Sequence, residues 1–133
     1  MDKNTSLAFY RLERAKDDLI DAELLYANKR YKSANNRAYY SIFHAMRAIL
    51  ALEQKDFKKH KSVISYFNEH YVKTEIFPKA IGRKIANATR TREDSDYDDE
   101  FVVSQEDTAI QIETAKDVID LVEKYLQGIT QNG

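Results

Sequence analysis

The sequence predicts an all-α protein, an antiparallel four- to five-helix up-and-down bundle. Three observations carry that expectation. The 133 residues include 3 glycines and 1 proline, so the residues that punctuate tight turns are nearly absent. Apolar residues recur at three- and four-residue intervals through most of the chain, the period of a helix with one buried face. No segment keeps up the apolar–polar alternation of a half-buried strand.

The first helix is expected to open behind Thr5 or Ser6 as its cap and to run to about Asn28, with Leu12, Ala15, Leu19, Ala22 and Tyr26 on one stripe. A second helix, about Tyr31 to Glu53, opens near Ser33. The polar stretch "EQKDFKKHK" breaks it from a third, about His60 to Val72, with Val63, Ile64 and Phe67 inward. Pro78 marks the start of a fourth helix that ends near Arg92. The run "EDSDYDDE" reads as a solvated acidic loop, because it lacks the glycine and alternating oxygen ligands of a calcium loop. Ser104 caps a last helix, about Gln105 to Gln127, with Ile112, Ala115, Ile119, Val122 and Leu126 facing the core and Gly128 as its stop. Residues 1–133 read as one domain with its core between about 6 and 127.

Composition excludes several classes of function. Lysine and arginine number 21 against 22 acidic residues, a formal net charge of -1, so no overall basic field announces a nucleic-acid binder. With no cysteine, disulfides and thiolate metal sites are excluded, which fits a reducing compartment. No apolar run approaches the ~20 residues that span a bilayer, and "MDKNTSLAFY" lacks the order of a secretory leader; the cytoplasm is the expected location. A glycine-rich phosphate loop, a nucleophile elbow and a paired-histidine metal motif are all missing from the sequence.

The chemistry concentrates in "NNRAYYSIFHAM", residues 35–46. At 100° per residue, Tyr39, Ile42, Phe43, Met46, Ile49 and Leu50 gather on one side of the second helix as its core stripe. Arg37, Tyr40, Ser41, His44, Arg47 and Ala48 gather on the other. Arg37 and His44 lie two turns apart and nearly eclipsed, so both can lean onto one phosphate. A guanidinium holds phosphate oxygens in a fork, and an imidazole moves protons near neutral pH. Together they suit metal-free RNA cleavage, with Asn36, Tyr40, Ser41 and Arg47 around the cleft. The alternative is two polar side chains bonded to a neighbouring helix. His60, in the basic run "KDFKKHK", is either an RNA-backbone contact near that cleft or a solvated helix start. Lys79, Arg83, Lys84, Arg90 and Arg92 form either a phosphate-tracking stripe or the wet face of the fourth helix. Arg92 and Asp96 are spaced as an i,i+4 pair, with Tyr97 expected to pack under the following loop. The small residues Ala34, Ser41 and Ala48 on the Arg37 face would let a second copy approach closely across a two-fold axis.

"NRAYYSIFHAMRAIL" resembles the central helix of the HEPN superfamily. "KKHKSVISYF" resembles the Lys-x-His segment of small prokaryotic HEPN proteins, and "TREDSDYD" their late Arg-x-x-x-Asp-Tyr motif. The resemblance runs from about Leu7 to Leu126. It implies a helical bundle that forms homodimers, and a cofactor-free, metal-independent ribonuclease whose signature is an Arg, four to six residues, then a His; here six separate Arg37 from His44. It implies a toxin role in a toxin–antitoxin or defence pair, with a minimal nucleotidyltransferase as partner. Other members are non-catalytic modules that bind a nucleotide or such a partner. Two positions depart from the ribonuclease pattern. Ala38 stands where a polar residue often follows the arginine, and Met46 where one subgroup carries a tyrosine that its antitoxin modifies.

Overall fold

A computed structural model describes residues 2–98 and 101–132. Five α-helices follow in order: α1 (Lys3–Ala27), α2 (Tyr31–Ala51), α3 (His60–Phe67), α4 (Lys79–Tyr97) and α5 (Gln105–Asn132). Among the described residues there is no strand. Nor is any helix among them long and apolar enough to cross a membrane.

Paired side chains fix the directions. Arg11, Ala15 and Asp18 of α1 bond Arg47, Ser41 and Arg37 of α2 in descending order, so α1 and α2 are antiparallel. Lys16 and Glu23 of α1 pair with Glu123 and Lys116 of α5, so those two are antiparallel as well. On α4, Lys84 bonds Asp117 and Ala88 accepts from Gln111, which sets α4 against α5. The four long helices therefore alternate up and down, and α3 crosses between α2 and α4.

Several helix ends differ from the sequence reading, each for a local reason. The cap of α1 is Asp2, whose carboxylate accepts from the Thr5 N–H at 2.7 Å, so the helix opens before Thr5 and Ser6. Arg30, with no side-chain cap bond, precedes α2; Ser33 lies inside the helix. Behind α3 the chain winds into a π-turn, Asn68–Val72, where Lys73 N–H reaches back five residues to the Asn68 carbonyl. Gly82 of α4 packs on that turn: a Cβ there would lie 3.0 Å from Val72 Cγ1. Pro78 sits just before α4, which runs through "EDSDY" to Tyr97. Most of the expected acidic loop is thus helical; its end, residues 99 and 100, lies outside the described residues. Ser104 caps α5 as expected, accepting from Asp107 N–H at 2.9 Å, but Gly128 does not stop it. Lys29, Gln54 and Glu75 take positive φ at three helix ends, the conformation that glycine usually supplies.

The largest correction concerns α2. It buries 14 of its 21 residues, so it is the central helix and has no free long face. Ala34, Ser41 and Ala48 are each fully buried. Ser41 donates to the Ala15 carbonyl at 2.7 Å, so α1 of the same chain covers the small-residue face that was expected at a two-fold axis.

Candidate functional site

Arg37 and His44 lie on α2 where it meets α1, and α1 brings Asp18 between them. Arg37 Nη1 is 3.2 Å from Asp18 Oδ1, and His44 Nε2 is 3.7 Å from Asp18 Oδ2. The guanidinium and the imidazole thus face the two oxygens of one carboxylate. The space expected to be an open cleft is filled by a side chain of the same molecule. Arg37 stays partly exposed, whereas His44 is 8% exposed. His44 Nδ1 is buried with no partner among the described residues.

Electrostatics follow from that placement. Burial, then the charges of Arg14, Arg47, Arg11 and Arg37, push His44 down to about 4. At neutral pH it is therefore an uncharged imidazole, its protonated form disfavoured by burial and by the surrounding arginine charges. Burial raises Asp18 above the usual carboxylate value, and Arg37 and Arg14 oppose the rise.

A second polar group lies around the ends of α2 and α3. Asp56 accepts from Arg47 Nε at 3.3 Å and Nη2 at 2.9 Å, and from Arg11 Nη2 at 3.3 Å. Although burial works to raise it, Arg47 and Arg11 hold its carboxyl below the ordinary value. His60 begins α3. Its ring stacks on Phe43 with centroids 4.0 Å apart, and its Nδ1 lies 3.2 Å from the Tyr39 hydroxyl. Tyr39 is buried, has no other hydrogen-bond partner among the described residues, and is pushed up to about 12 by burial. One hydrogen bond joins it to His60, and the tautomer of the imidazole decides which of the two donates. Burial, Arg92 and Arg47 lower His60.

His60 lines two clefts. One, of about 370 Å³, lies between Phe43, Arg47, Asp56, Phe57, Lys58 and His60. The other, of about 430 Å³, includes Tyr39, Lys61, Arg90 and Arg92. Tyr40 links the halves. Arg37 lies over its ring at 5.1 Å and Arg92 at 5.8 Å, and Arg92 Nη2 is 3.5 Å from its hydroxyl.

The remaining sequence candidates separate. Arg47 and His60 reach open clefts, and Tyr40 is half-buried beside Arg37. Ser41 lines no cleft, because it is sealed against α1. Asn36 is half-buried, and its Oδ1 has no partner among the described residues. Arg92 and Asp96 form the expected ion pair at 2.9 Å, but Tyr97 is 78% exposed, so its ring is not covered by the described residues. The carboxylate that positions Arg37 is Asp18, not Asp96. The fourth-helix cations do not make one stripe: Lys84 pairs with Asp117, Lys79 with Glu75, and Arg90 and Arg92 line a cleft. Asp18, Arg11 and Arg14 were missed because "RLERAKDD" looks like a solvated face. Their i, i+3, i+7 spacing beside Leu12 and Ala15 was the available signal.

Fold and site together define a helical-bundle protein with a paired arginine and histidine on its central helix. The chain belongs to the HEPN domain family, whose model matches residues 8–125. It is 31% identical to a UPF0332 protein of Thermotoga maritima over 97% of this chain and 98% of that one. It is 33% identical to a Methanocaldococcus jannaschii protein named "Putative toxin", over 89% and 87% of the two chains. A second protein of that organism with the same designation is 28% identical over 86% and 78%. The toxin-like branch of the family is therefore the class to which this chain is similar. Met46, at the position of the modifiable tyrosine in one subgroup, is fully buried.

Proposed function

We propose that this protein is a metal-independent endoribonuclease of the toxin-type HEPN class, active as a homodimer and restrained by a minimal nucleotidyltransferase partner. One observation carries the reading: Arg37 and His44 converge on the two oxygens of a single carboxylate. A phosphodiester offers a similar pair of non-bridging oxygens, so a side-chain pair that addresses one can address the other. In this reading Arg37 takes a non-bridging oxygen and offsets the charge that grows there. His44 Nε2 accepts the proton of the 2′-hydroxyl as that oxygen attacks phosphorus. The bond from phosphorus to the 5′-oxygen breaks, leaving a 2′,3′-cyclic phosphate. The departing 5′-oxygen takes a proton from water, and His44 returns the proton it accepted to solvent. Asp18 holds Arg37 until the phosphate displaces it.

Cleavage of RNA in EDTA, with end analysis, tests this. Cyclic-phosphate ends from the native chain, lost in both Arg37→Ala and His44→Ala at unchanged helicity, are the expected result. Undiminished cleavage by both variants defeats the assignment. Light scattering checks the dimer, and co-purification with the nucleotidyltransferase checks the partner.

The second reading is a non-catalytic module that binds a nucleotide or the partner enzyme. It is favoured by the 8% exposure of His44 and by Ala38, which is fully buried and apolar beside Arg37. It expects no cleavage at any protein concentration, together with a stable complex.

A further inference from the structure

The clefts on either side of His60 take no part in the proton transfers above, yet their lining is specific. The cleft of about 370 Å³ joins three rings, Phe43, Phe57 and His60, to two cations, Arg47 and Lys58. Its one acid is not available to a ligand. Asp56 Oδ1 already accepts from Arg47 Nε and the Phe57 N–H, and Oδ2 from Arg47 Nη2 and Arg11, which accounts for the lone pairs of both oxygens. Asp56 therefore fixes the wall, Phe43 backs it at 6% exposure under the His60 ring, and the reachable chemistry of the cleft is the ring surface of Phe57 and His60 beside positive charge. That combination fits a nucleotide, whose base stacks and whose phosphate is anionic. His60 is fixed by Tyr39 through Nδ1, and no group among the described residues bonds its Nε2. The same imidazole borders the second cleft, which adds Lys61, Arg90 and Arg92 against one acid, Glu93. Two adjoining cationic clefts that share one ring suit consecutive nucleotides of a strand better than one free nucleotide.

We propose that the cleft between Phe43, Phe57 and His60 holds one nucleotide of single-stranded RNA, its base against the rings and its phosphate on Arg47 and Lys58, and that the cleft beyond His60 holds the next. The strand is led there from the Arg37–His44 pair: the Phe43 ring lies 5.8 Å from the His44 ring and 4.0 Å from that of His60, centroid to centroid. This deepens the ribonuclease reading and rests on it for the identity of the strand.

The test is fluorescence anisotropy with a labelled, fully 2′-O-methylated ten-nucleotide RNA in EDTA. That strand has no 2′-hydroxyl to attack, so binding is read apart from cleavage. Phe57→Leu, which keeps apolar bulk but loses the ring, is expected to weaken binding by about tenfold. Phe57→Tyr is expected to bind as the native chain does. Arg90→Gln, at an exposed position, is expected to weaken binding by about threefold and guards against a folding defect in the Phe57 variant. AMP and GMP are expected to compete at least a hundredfold more weakly than the strand. Native affinity in both Phe57→Leu and Arg90→Gln overturns the subsite; mononucleotides competing as well as the strand overturn the assignment to RNA. Binding that responds to Phe57→Leu in a protein that cleaves nothing removes the ribonuclease reading alone, whereas cleavage with an indifferent Phe57→Leu removes the subsite alone.

Discussion

Two histidines of this chain stand in opposite circumstances. His44 lies in the seam between α1 and α2, buried, with its neighbouring guanidinium already held by Asp18. His60 lies at the head of α3, partly exposed, tethered by one nitrogen and bordering two open clefts. Both are lowered by burial and nearby arginines, so titration alone does not distinguish them. Access and partners do. The seam is organised before any ligand arrives, which suits chemistry on a small group such as a phosphodiester. The clefts set rings beside cations, of which Arg47 is held by Asp56 and Arg92 by Asp96 while Lys58, Lys61 and Arg90 face them as well, which suits holding a longer ligand.

The widest separation between these regions is expected in catalysis. On the ribonuclease reading, His44→Ala lowers single-turnover RNA cleavage by about a hundredfold or more. His60→Ala raises the RNA concentration needed for half-maximal rate and leaves the maximal rate within a few-fold. Single-turnover rates over a range of protein concentrations separate the two effects. Equal losses of maximal rate would merge the seam and the clefts into one catalytic unit.

Stability gives the next contrast. His44 titrates from an ordinary value of 6.5 when unfolded to about 4 when folded. Between those values the unfolded chain binds the proton and the folded chain does not, so the contribution of His44 is complete above the unfolded value and is lost as pH falls toward the folded one. The native protein is therefore expected to lose about 2 kcal/mol of unfolding free energy between pH 7 and pH 5 through this group. His44→Gln should flatten that dependence, as read by urea unfolding at the two pH values. A native-like slope in His44→Gln would show that the imidazole is not desolvated.

The same contrast explains what could be read in the sequence. Five helices and their stripes were legible because apolar spacing reports which side of a helix is wet. Spacing misleads on α2, which has no wet side along most of its length: Ser41 and His44 look like part of a polar face but are enclosed. Ser41 was misplaced in a cleft for that reason, since its bond to the Ala15 carbonyl is a tertiary contact with no trace in local spacing. Asp18 escaped notice because it is one acid among Asp17, Asp21 and Glu23 on α1, and only the packing of α1 on α2 distinguishes it. Residues 93–97 were read as a loop from their charge, yet the Arg92–Asp96 pair, itself legible, belongs to a continuing helix. Phe57 and Phe43 were assigned no ligand role because aromatic residues usually mark core.

Ser41 supplies a smaller, local test of the seam. Its hydroxyl is fully buried and donates at 2.7 Å, but the Ala15 carbonyl also lies within α1, so Ser41→Ala orphans no group completely. The expected loss is about 1 kcal/mol. Ser41→Leu, which forces α1 and α2 apart, is expected to lose about 3 kcal/mol in the same urea measurement. A benign Ser41→Leu would mean that α1 does not close on this face of α2.

The smallest expected effect concerns the two acids that hold the arginines. Asp18 has a side chain 14% exposed and sits in the seam; Asp56 has one 48% exposed and sits at the clefts. Ion pairs as exposed as those of Asp56 contribute little to stability, about 0.2–1 kcal/mol, so Asp56→Asn should leave the urea midpoint nearly unchanged. It does release Arg11 and Arg47 from their carboxylate. If the clefts carry RNA, each freed guanidinium that engages a further phosphate steepens the dependence of log binding constant on log salt by about 0.7. Arg47 already carries a phosphate in the proposed complex, so anisotropy titrations of Asp56→Asn at four salt concentrations should show tighter binding at low salt and a slope steeper by about 0.7, from Arg11. An unchanged slope would place Arg11 beyond the reach of the phosphate backbone and leave the electropositive side of the molecule to Arg47, Lys58, Lys61, Arg90 and Arg92. The same substitution at Asp18 serves as the internal reference. Its carboxylate faces the seam, so Asp18→Asn should leave the salt slope as it is while altering cleavage, and that pair of results would establish that only the His60 side tracks the strand.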